Sequence, residues 1–476
     1  MANKLRENST GFLGLLYNSL AGQAPTYSIA GGAALIMSTA YAAAPLAMLL
    51  TTLGVMTMVY SIYVLSKRYP HAASFYAYPT NSLNSFTGFL NGIIYIIYSL
   101  IGLSSVAIAF SYLTTEAIYA VTGSLINPLP LVLVPIVAAM LISIIGIKPS
   151  IRTETLLSSI EIIILALFIS LSFYGERSRL SLFPFTPEAT YGGSINGILA
   201  GIGGGLLFSV TYFMGFETST QISEEAKRPG ETVPRATLIA TLLMGLLYMA
   251  TTYAILLNVG FDQTSISNFV SAAEGFGVNP VFTLVEKYLG PWGLVIFSAS
   301  VIISVFGCYL ATLNATARML FGMSRDGLLP RWLNSIHPKY LSPVTATYVS
   351  TIIAAALLVP SYVAAMIAGY SGTIQLTYGA MEYAYAVDSL YYVLSLAVVA
   401  IAAFKIVGIY GKAITMGGAA LMMVTFYESA QYLPMDYLVL SSIATIMLVE
   451  AFLLRGKLKG IKTSLYVGYN VNQSKQ

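Results

Sequence analysis

Charged residues, cysteine and histidine are all scarce in this chain of 476 residues. Charged residues make up only 9% of the sequence, against about 25% in soluble globular proteins, which excludes an ordinary soluble fold. Cys308 is the single cysteine, so the sequence offers no internal disulfide and no thiolate metal cluster. His71 and His337 lack metal-ligand spacing and fall in loops that we expect to be water-accessible. No motif indicates covalent chemistry, and we expect no metal, no cofactor and no enzymatic activity.

Apolar residues are abundant instead and make up 57% of the chain. Apolar runs of about 20 residues recur along the whole length, and each can cross a hydrocarbon core roughly 30 Å thick. They predict an all-α polytopic membrane protein with twelve transmembrane helices in a lipid bilayer. The predicted spans are 12–38, 42–66, 87–117, 129–147, 155–174, 195–220, 236–259, 292–323, 344–362, 376–404, 412–430 and 436–454.

The positions of Lys and Arg predict the orientation of these spans. An even number of spans puts both termini on the same side of the membrane. If the termini are cytoplasmic, only three of the 23 Lys and Arg residues lie outside, namely Arg177, Arg179 and Lys287. This distribution satisfies the positive-inside rule, so we expect a multi-pass plasma membrane protein. The net charge of +4 therefore reflects topology, and we expect no nucleic-acid partner. The first apolar run is long for a signal peptide and is interpreted as an uncleaved span.

Spans one and six each carry signals that interrupt a helix. Span one contains Ala21-Gly22-Gln23-Ala24-Pro25, and span six is rich in glycine and ends in Gly215-Phe216-Glu217. Irregular backbone at membrane depth usually lines a ligand cavity, although tight helix packing is an alternative use of the glycines. The two spans are five apart and therefore run in opposite directions. This predicts inverted repeats at 12–174 and 195–405, peripheral helices at 412–454 and a cytoplasmic tail at 455–476, within one transmembrane domain, 1–476.

Three motifs follow spans two, six and eight. They are Arg68-Tyr69-Pro70-His71-Ala72-Ala73-Ser74-Phe75-Tyr76-Ala77-Tyr78, then Gly215-Phe216-Glu217 with Glu224-Glu225 and Pro234-Arg235, then Arg318 with Met323-Ser324-Arg325-Asp326-Gly327. Their order and spacing resemble the amino acid-polyamine-organocation family of permeases. The resemblance implies a LeuT-like inverted-repeat fold with broken helices 1 and 6, and transport of amino acids or related amines by alternating access. The chain departs from the family at the break in helix 1. Many members carry G-S-G or G-x-G there, whereas this chain carries Ala21-Gly22-Gln23.

A helix broken in mid-membrane leaves peptide groups unpaired, at a cost of several kcal/mol each unless protein, water or ligand satisfies them. The ammonium and carboxylate of an amino acid are suited to such half-helix ends. We therefore predict a substrate site formed by residues of both interrupted spans. Its members are Ser19, Ala21, Gly22 and Gln23 of span one and Thr211, Phe213, Met214 and Gly215 of span six.

Glu217 and Glu161 are the predicted carriers of a coupling proton. Glu217 would lie about 15 Å above the inner membrane edge if the residues up to Lys227 were helical, and Glu161 lies at a similar predicted depth. Intramembrane carboxylates tend to face cavities. For both, a structural acid bonded to a backbone or tyrosine donor is the alternative. A sodium ion held by span-one carbonyls and by Ser298, Ser300, Ser304 and Thr312 is the alternative to a proton.

The remaining intramembrane acids receive weaker assignments. Glu382 and Asp388 are predicted near an outer gate or in a solvated position. Glu116, Glu428 and Glu450 are assigned to membrane interfaces.

Two other functions fit parts of the sequence. A channel also uses broken helices, but it predicts residues repeated by oligomer symmetry, whereas this chain has two opposed repeats in one subunit. A non-transporting amino acid sensor with the same fold usually adds a signalling extension, and only 21 residues follow Arg455. A secondary transporter, proton-coupled or an exchanger, is therefore the leading prediction.

Overall fold

The computed structural model describes residues 5–274, 277, 279–431 and 463, and their regular secondary structure is helical. An isolated β-bridge joins Thr10 to Ala226. The helices are α1 (Phe12–Gln23), α2 (Pro25–Ala40), α3 (Ala44–Arg68), α4 (Ser74–Ser82), α5 (Ser85–Thr122), α6 (Leu133–Ile145), α7 (Ile147–Gly175), α8 (Ile195–Val210), α9 (Thr218–Gln221), α10 (Pro229–Val259), α11 (Gln263–Glu274), α12 (Pro280–Arg325), α13 (Val344–Ile367), α14 (Thr373–Phe404) and α15 (Ile409–Gln431).

Eight helical stretches among the described residues are long and apolar enough to cross a membrane. The first of them, Phe12–Arg68, contains α1 to α3 and therefore both the first and the second predicted span. A shorter apolar stretch, Leu129–Ile145, lies at the fourth predicted span, and α15 lies at the eleventh. The prediction of an all-helical, multi-pass membrane protein is confirmed. The twelfth span (436–454) lies outside the described residues, as does the tail apart from residue 463, so the count of twelve stays a prediction.

Several helices are longer than the apolar runs that predicted them. Helix α7 begins at Ile147 and α10 begins at Pro229, because the polar residues at these ends continue the helix beyond the apolar run. Helix α12 begins at Pro280, before the eighth predicted span, and is kinked at Gly290 (φ 64°). Helices α4 and α11 were not predicted, since both are too polar and too short to resemble a span.

Helix α5 forms the centre of the bundle and packs against α12 and α14. The helices on either side of the first interruption pack elsewhere in the bundle, α1 against α7, α10 and α12, and α2 against α8 and α12. A Cβ added to Gly205 would lie 2.7 Å from the Cβ of Ala47 and 2.8 Å from that of Ala40. Gly205 therefore serves close helix packing, which is the alternative interpretation of the glycines in span six.

Candidate functional site

The first predicted interruption is present at Ala24, between α1 and α2. Ala24 has φ 47° and ψ 72°, and its amide bonds back to Leu20 O (3.2 Å) and Ala21 O (3.1 Å), which ends α1. Pro25 then occupies the first turn of α2, where its missing N–H costs nothing. The chain therefore restarts as a helix within one residue and stays at the same membrane depth.

The second interruption follows α8. A 3-10 turn, Thr211–Phe213, leads to Gly215 with φ +90°, and only the short α9 follows before the next turn. A Cβ on Gly215 would overlap the backbone of Gly22, and a Cβ on Gly22 would overlap the carbonyl of Gly215. The two interrupted segments thus cross in direct backbone contact, which requires glycine at both positions.

The predicted substrate residues lie together at this crossing. Ser19 Oγ donates to Phe216 O at 2.5 Å and so holds the two segments together. Gln23 donates through Nε2 to Ser19 O (3.0 Å), and its Oε1 is buried with no hydrogen-bond partner. Phe213 packs edge-on against Tyr248, with ring centroids 5.6 Å apart. Ala21 and Gly22 are buried, whereas Thr211 and Met214 keep part of their surface accessible.

Glu161, on α7, accepts hydrogen bonds from the start of α2. Its Oε2 lies 3.3 Å from the amide nitrogen of Thr26 and 3.4 Å from Thr26 Oγ1, and the next amide, Tyr27 N–H, donates to Ser304 Oγ at 3.2 Å. The amides left free by the first interruption are therefore occupied by protein groups. Ser304 accepts an N–H here, and Ser300 Oγ donates to Phe297 O of its own helix at 2.7 Å.

Glu217 has a corresponding position at the second interruption. The hydroxyls of Tyr95 on α5 and Tyr392 on α14 donate to its two carboxylate oxygens at 3.1 and 3.0 Å. The backbone amides of Gly215 and of Glu217 itself also face the carboxylate. The predicted depth of about 15 Å assumed a continuous helix from Glu217 to Lys227. That assumption is wrong, because α9, a 3-10 turn and an extended segment occupy this stretch.

Sequence reasoning missed Glu154, which is fully buried on α7. Its Oε2 accepts from Asn18 Nδ2 of α1 at 2.9 Å, and its Oε1 accepts from Asn314 Nδ2 of α12 at 3.4 Å. Ser143 Oγ of α6 donates to Asn314 Oδ1 at 2.9 Å. Glu154 lies seven residues before Glu161, or two turns along one face of α7, and that spacing was the available signal.

Ion pairs and backbone bonds connect the segments at the end of the bundle where α1 begins, here called the N-terminal face. The amides of Ser9 and Thr10 donate to Glu225 O at 2.7 and 3.1 Å, and Glu225 pairs with the buried Arg318 of α12. Glu224 Oε2 and Oε1 each accept from Arg325 at 2.6 Å. Burial alone would raise the pKa of Glu224, but the hydrogen bonds and charge of Arg325 outweigh it and hold the pKa below its usual range.

His71 belongs to the same cluster and is fully buried, so its expected position in a water-accessible loop was wrong. The amide of Ala73 donates to His71 Nδ1 at 2.9 Å, which places the ring proton of a neutral histidine on Nε2. That nitrogen lies 3.4 Å from Asp326 Oδ2. This contact joins the loop after α3 to the end of α12. The three sequence motifs after spans two, six and eight therefore meet at the N-terminal face.

Asp388 and Glu116 are buried at 2% and 3% exposure, so the solvated alternative predicted for Asp388 is wrong, whereas the outer gate and the membrane interface stay predictions. Asp388 lies in the middle of α14, beside Ser389, whose Oγ is 3.6 Å from Met214 Sδ. Glu382 is partly exposed and accepts from the hydroxyls of Tyr370 and Tyr378, both at 2.9 Å. The side chains of Glu428 and Glu450 lie outside the described part of the chain.

Comparisons with known proteins agree with this fold. The sequence profile of the amino acid permease family matches residues 14–465. The chain is 28% identical over 237 residues to the vacuolar cationic amino acid transporter 4 of Arabidopsis thaliana, covering 49% of this chain and 36% of that protein. It is 27% identical over 312 residues to the methylthioribose transporter of Bacillus subtilis, covering 61% of this chain and 62% of that protein. The chain thus spans less than two thirds of the length of either relative.

A solved structure supports the fold assignment. The crystal structure of MhsT in complex with L-phenylalanine is similar with a TM-score of 0.58 at 15% identity, covering 94% of this chain and 99% of that one. This likeness concerns the fold alone, whereas the family profile covers nearly the whole sequence. The resemblance that the three motifs indicated is confirmed, and the chain belongs to the amino acid permease family.

Proposed function

We propose that this chain is a secondary active transporter that moves amino acids or related amines across the plasma membrane by alternating access. The observation that carries this proposal is the crossing of two interrupted helices at Gly22 and Gly215, inside a bundle of membrane-crossing helices. Such crossings combine exposed peptide groups with a flexible backbone at mid-membrane depth. Membership of the amino acid permease family supports the substrate class.

The substrate site consists of the eight residues predicted from the two spans, Ser19, Ala21, Gly22, Gln23, Thr211, Phe213, Met214 and Gly215. The buried and unpartnered Gln23 Oε1 is an acceptor available to a substrate ammonium. Tyr27, Thr211 and Met214 keep accessible surface on the side of the crossing away from the N-terminal face. A substrate arriving from that side meets these residues first.

Glu161 and Glu217 couple transport to protons in this mechanism. Glu161 accepts hydrogen bonds from Thr26 at the first interruption. Glu217 accepts hydrogen bonds from Tyr95 and Tyr392 at the second interruption. Protonation removes charge and acceptor capacity, and therefore weakens the hold on the restarted helix. A proton arriving at either acid loosens the crossing and favours rearrangement of the interrupted segments.

The N-terminal face is the cytoplasmic face in this proposal, and the two interrupted helices belong to inverted repeats of five helices. Every described residue from Gly215 to Ala226 is buried, and Glu224 and Glu225 pair with arginines of α12. This arrangement corresponds to a state closed toward the cytoplasm. Opening requires that these pairs separate.

Replacement of Glu217 by glutamine tests the coupling. The amide keeps the size of the carboxylate but carries no titratable proton, so uphill uptake in proteoliposomes with an imposed pH gradient should fall to the equilibrium level. Exchange of internal for external substrate should continue, because exchange needs no net proton movement. Glu382→Gln is the matched control, since Glu382 also accepts from two tyrosines but is partly exposed on α14. Normal uphill uptake by Glu217→Gln would remove Glu217 from the coupling step.

A further inference from the structure

Asp388 has far fewer protein partners than the acids at the helix interruptions. Within the described part of the chain, its hydrogen bonds come from the adjacent Ser389, whose Oγ is 3.3 Å from Asp388 Oδ1 and whose backbone amide also faces the carboxylate. Among the described residues, no lysine, arginine or histidine forms an ion pair with it, in contrast to Glu224 and Glu225. Glu161 and Glu217 each accept at least two hydrogen bonds from other helices. Asp388 has none of these compensations.

A carboxylate with 2% exposure and so little compensation is costly in a membrane interior. Removal of an ionised group from water costs several kcal/mol unless a counter-charge or several hydrogen bonds replace the water. The protein supplies neither at Asp388. The carboxylate therefore requires a cation from outside the chain, and its position indicates which one.

Asp388 borders the crossing of the interrupted helices. Ser389 Oγ lies 3.6 Å from Sδ of Met214, a residue of the second interruption. One turn further along α14, Tyr392 donates to Glu217. Tyr27 of α2 and Cys308 of α12 lie within electrostatic range of Asp388. Helices α2, α12 and α14 and the second interruption thus all present side chains around this carboxylate.

Gly102 of α5 lies directly beside the carboxylate and presents no side chain to it. A Cβ built on Gly102 would lie 3.4 Å from Asp388 Oδ2 and 3.9 Å from the ring of Tyr98, with no other heavy atom nearer. Tyr27, Tyr98 and Tyr385 are the aromatic residues in electrostatic range of the acid. Aromatic side chains near a carboxylate favour an organic ammonium, because cation–π attraction can then add to charge pairing. No basic side chain competes for this space among the described residues.

We infer that Asp388 binds the second cationic group of the substrate, so that the transporter selects dibasic amino acids or diamines over neutral amino acids. This inference rests on the proposed function and specifies its substrate class. The common ammonium of an amino acid is held at the crossing, and the additional ammonium extends toward α5 and α14. Gly102 lies beside this position, and Asp388 supplies the charge.

Binding of L-lysine, putrescine and L-leucine to the purified full-length chain, combined with uptake of each into proteoliposomes, tests the inference. The wild-type protein should bind lysine or putrescine more tightly than leucine. Asp388→Asn should weaken binding of the cationic ligands by about 10- to 100-fold, the usual effect of losing a charge-assisted hydrogen bond. Its affinity for leucine should change by less than about twofold, because a neutral side chain does not use the carboxylate. Retained leucine binding also shows that the variant is folded.

Gly102→Ala provides a second variant that keeps the acid. The added methyl group makes only ordinary contacts at 3.4 and 3.9 Å, so the fold should be preserved while the space beside Asp388 shrinks. Lysine and putrescine binding should weaken, and leucine binding should persist. Glu382→Gln, which removes another acid of α14, should leave the affinity for all three ligands unchanged.

Three results would overturn the assignment of Asp388 while leaving the proposed function intact. The first is uptake of leucine with no preference for cationic ligands. The second is an equal loss of lysine and leucine binding in Asp388→Asn. The third is a loss of pH-dependent uptake in that variant while its affinity for lysine is unchanged. The second would show that Asp388 binds the common ammonium, and the third that it binds a proton. Absence of uptake of every amino acid and amine would overturn the proposed function as well.

Discussion

Each buried carboxylate near the crossing has a different kind of partner, and the partner indicates what the acid can do. Glu225 has an arginine, Glu154 has two asparagine amides, Glu217 has two phenols, and Asp388 has one adjacent hydroxyl. An acid already neutralised by a guanidinium is a structural link. An acid with neutral donors can accept a proton, and an acid with almost no donors needs an external cation.

Glu154 should contribute more to stability than an exposed acid of the same chain. Glu154→Ala leaves the amide groups of Asn18 and Asn314 without their acceptor in a buried site. We expect a loss of about 2–4 kcal/mol, since each unsatisfied buried donor costs about 1–3 kcal/mol. Thermal denaturation in detergent measures the effect. Glu188→Ala, at an exposed loop position, is the control and should change stability by less than about 0.5 kcal/mol. Equal melting temperatures would show that Glu154 is not a structural link.

At the residue scale, the sequence singled out Glu217 and Glu161, which both lie at the interruptions, but it did not predict the burial of Asp388. Glu217 follows the Gly215-Phe216 pair, so its position at the interruption was predictable. Asp388 belongs to no motif, and its burial depends on α5 and on the second interruption, which are remote in sequence. Glu154 was missed because the fifth predicted span begins at residue 155, whereas α7 begins at Ile147.

The two interruptions are built in different ways. In the first, Ala24 adopts a left-handed conformation and Pro25 immediately starts the next helix. In the second, Gly215 takes φ +90° and only a short helix and turns follow. The first is a compact hinge between two regular helices, whereas the second is a longer irregular segment. Larger backbone rearrangement is therefore expected in the second.

Replacement of Gly215 by alanine should disable the crossing. Alanine at φ +90° costs about 1–3 kcal/mol, and its Cβ would overlap the backbone of Gly22. We expect loss of substrate binding together with a lower melting temperature. Gly203→Ala is the matched control, because Gly203 lies in α8 with open space around its Cβ position. That variant should be neutral or stabilised by up to about 1 kcal/mol, the helix-propensity difference. Full substrate binding by Gly215→Ala would contradict the backbone-contact argument.

At the element scale, hydrophobic runs predicted the membrane helices because a span needs about 20 apolar residues. Their ends were less predictable, since polar residues continue α7 and α10 beyond the apolar core. Helix α4 was not predicted, because it is too polar and too short to resemble a span. It contains Ser74, Thr80 and Asn81, and its burial comes from contacts with α5 and α14 that sequence periodicity does not encode.

The whole molecule is more tightly connected at its N-terminal face than around the crossing. Residues 9–10, the segment after α9, the loop after α3 and the end of α12 are joined there by backbone bonds and ion pairs. The sequence predicted the grouping of cations at one face, and also the exceptions. Arg179 and Lys287 both lie near Glu176 at the opposite end, with Lys287 Nζ 2.7 Å from Glu176 Oε1. The mutual pairing of the three motifs was not predictable, because each lies in a different loop.

This asymmetry predicts the side from which the only cysteine of the chain can be modified. Cys308 lies at the crossing, with Sγ 3.3 Å from Gly22 O and 9% of its surface exposed. If the closed N-terminal face is cytoplasmic, as we propose, a small membrane-impermeant thiosulfonate should reach Cys308 faster in intact cells than in inside-out vesicles. Transported substrate should slow the reaction, since it occupies the same crossing, and Cys308→Ser should be unreactive while transport continues. Faster modification in inside-out vesicles would show that the cytoplasmic path is the open one, and the closed arrangement of Glu224, Glu225 and their arginines would then be the minor state.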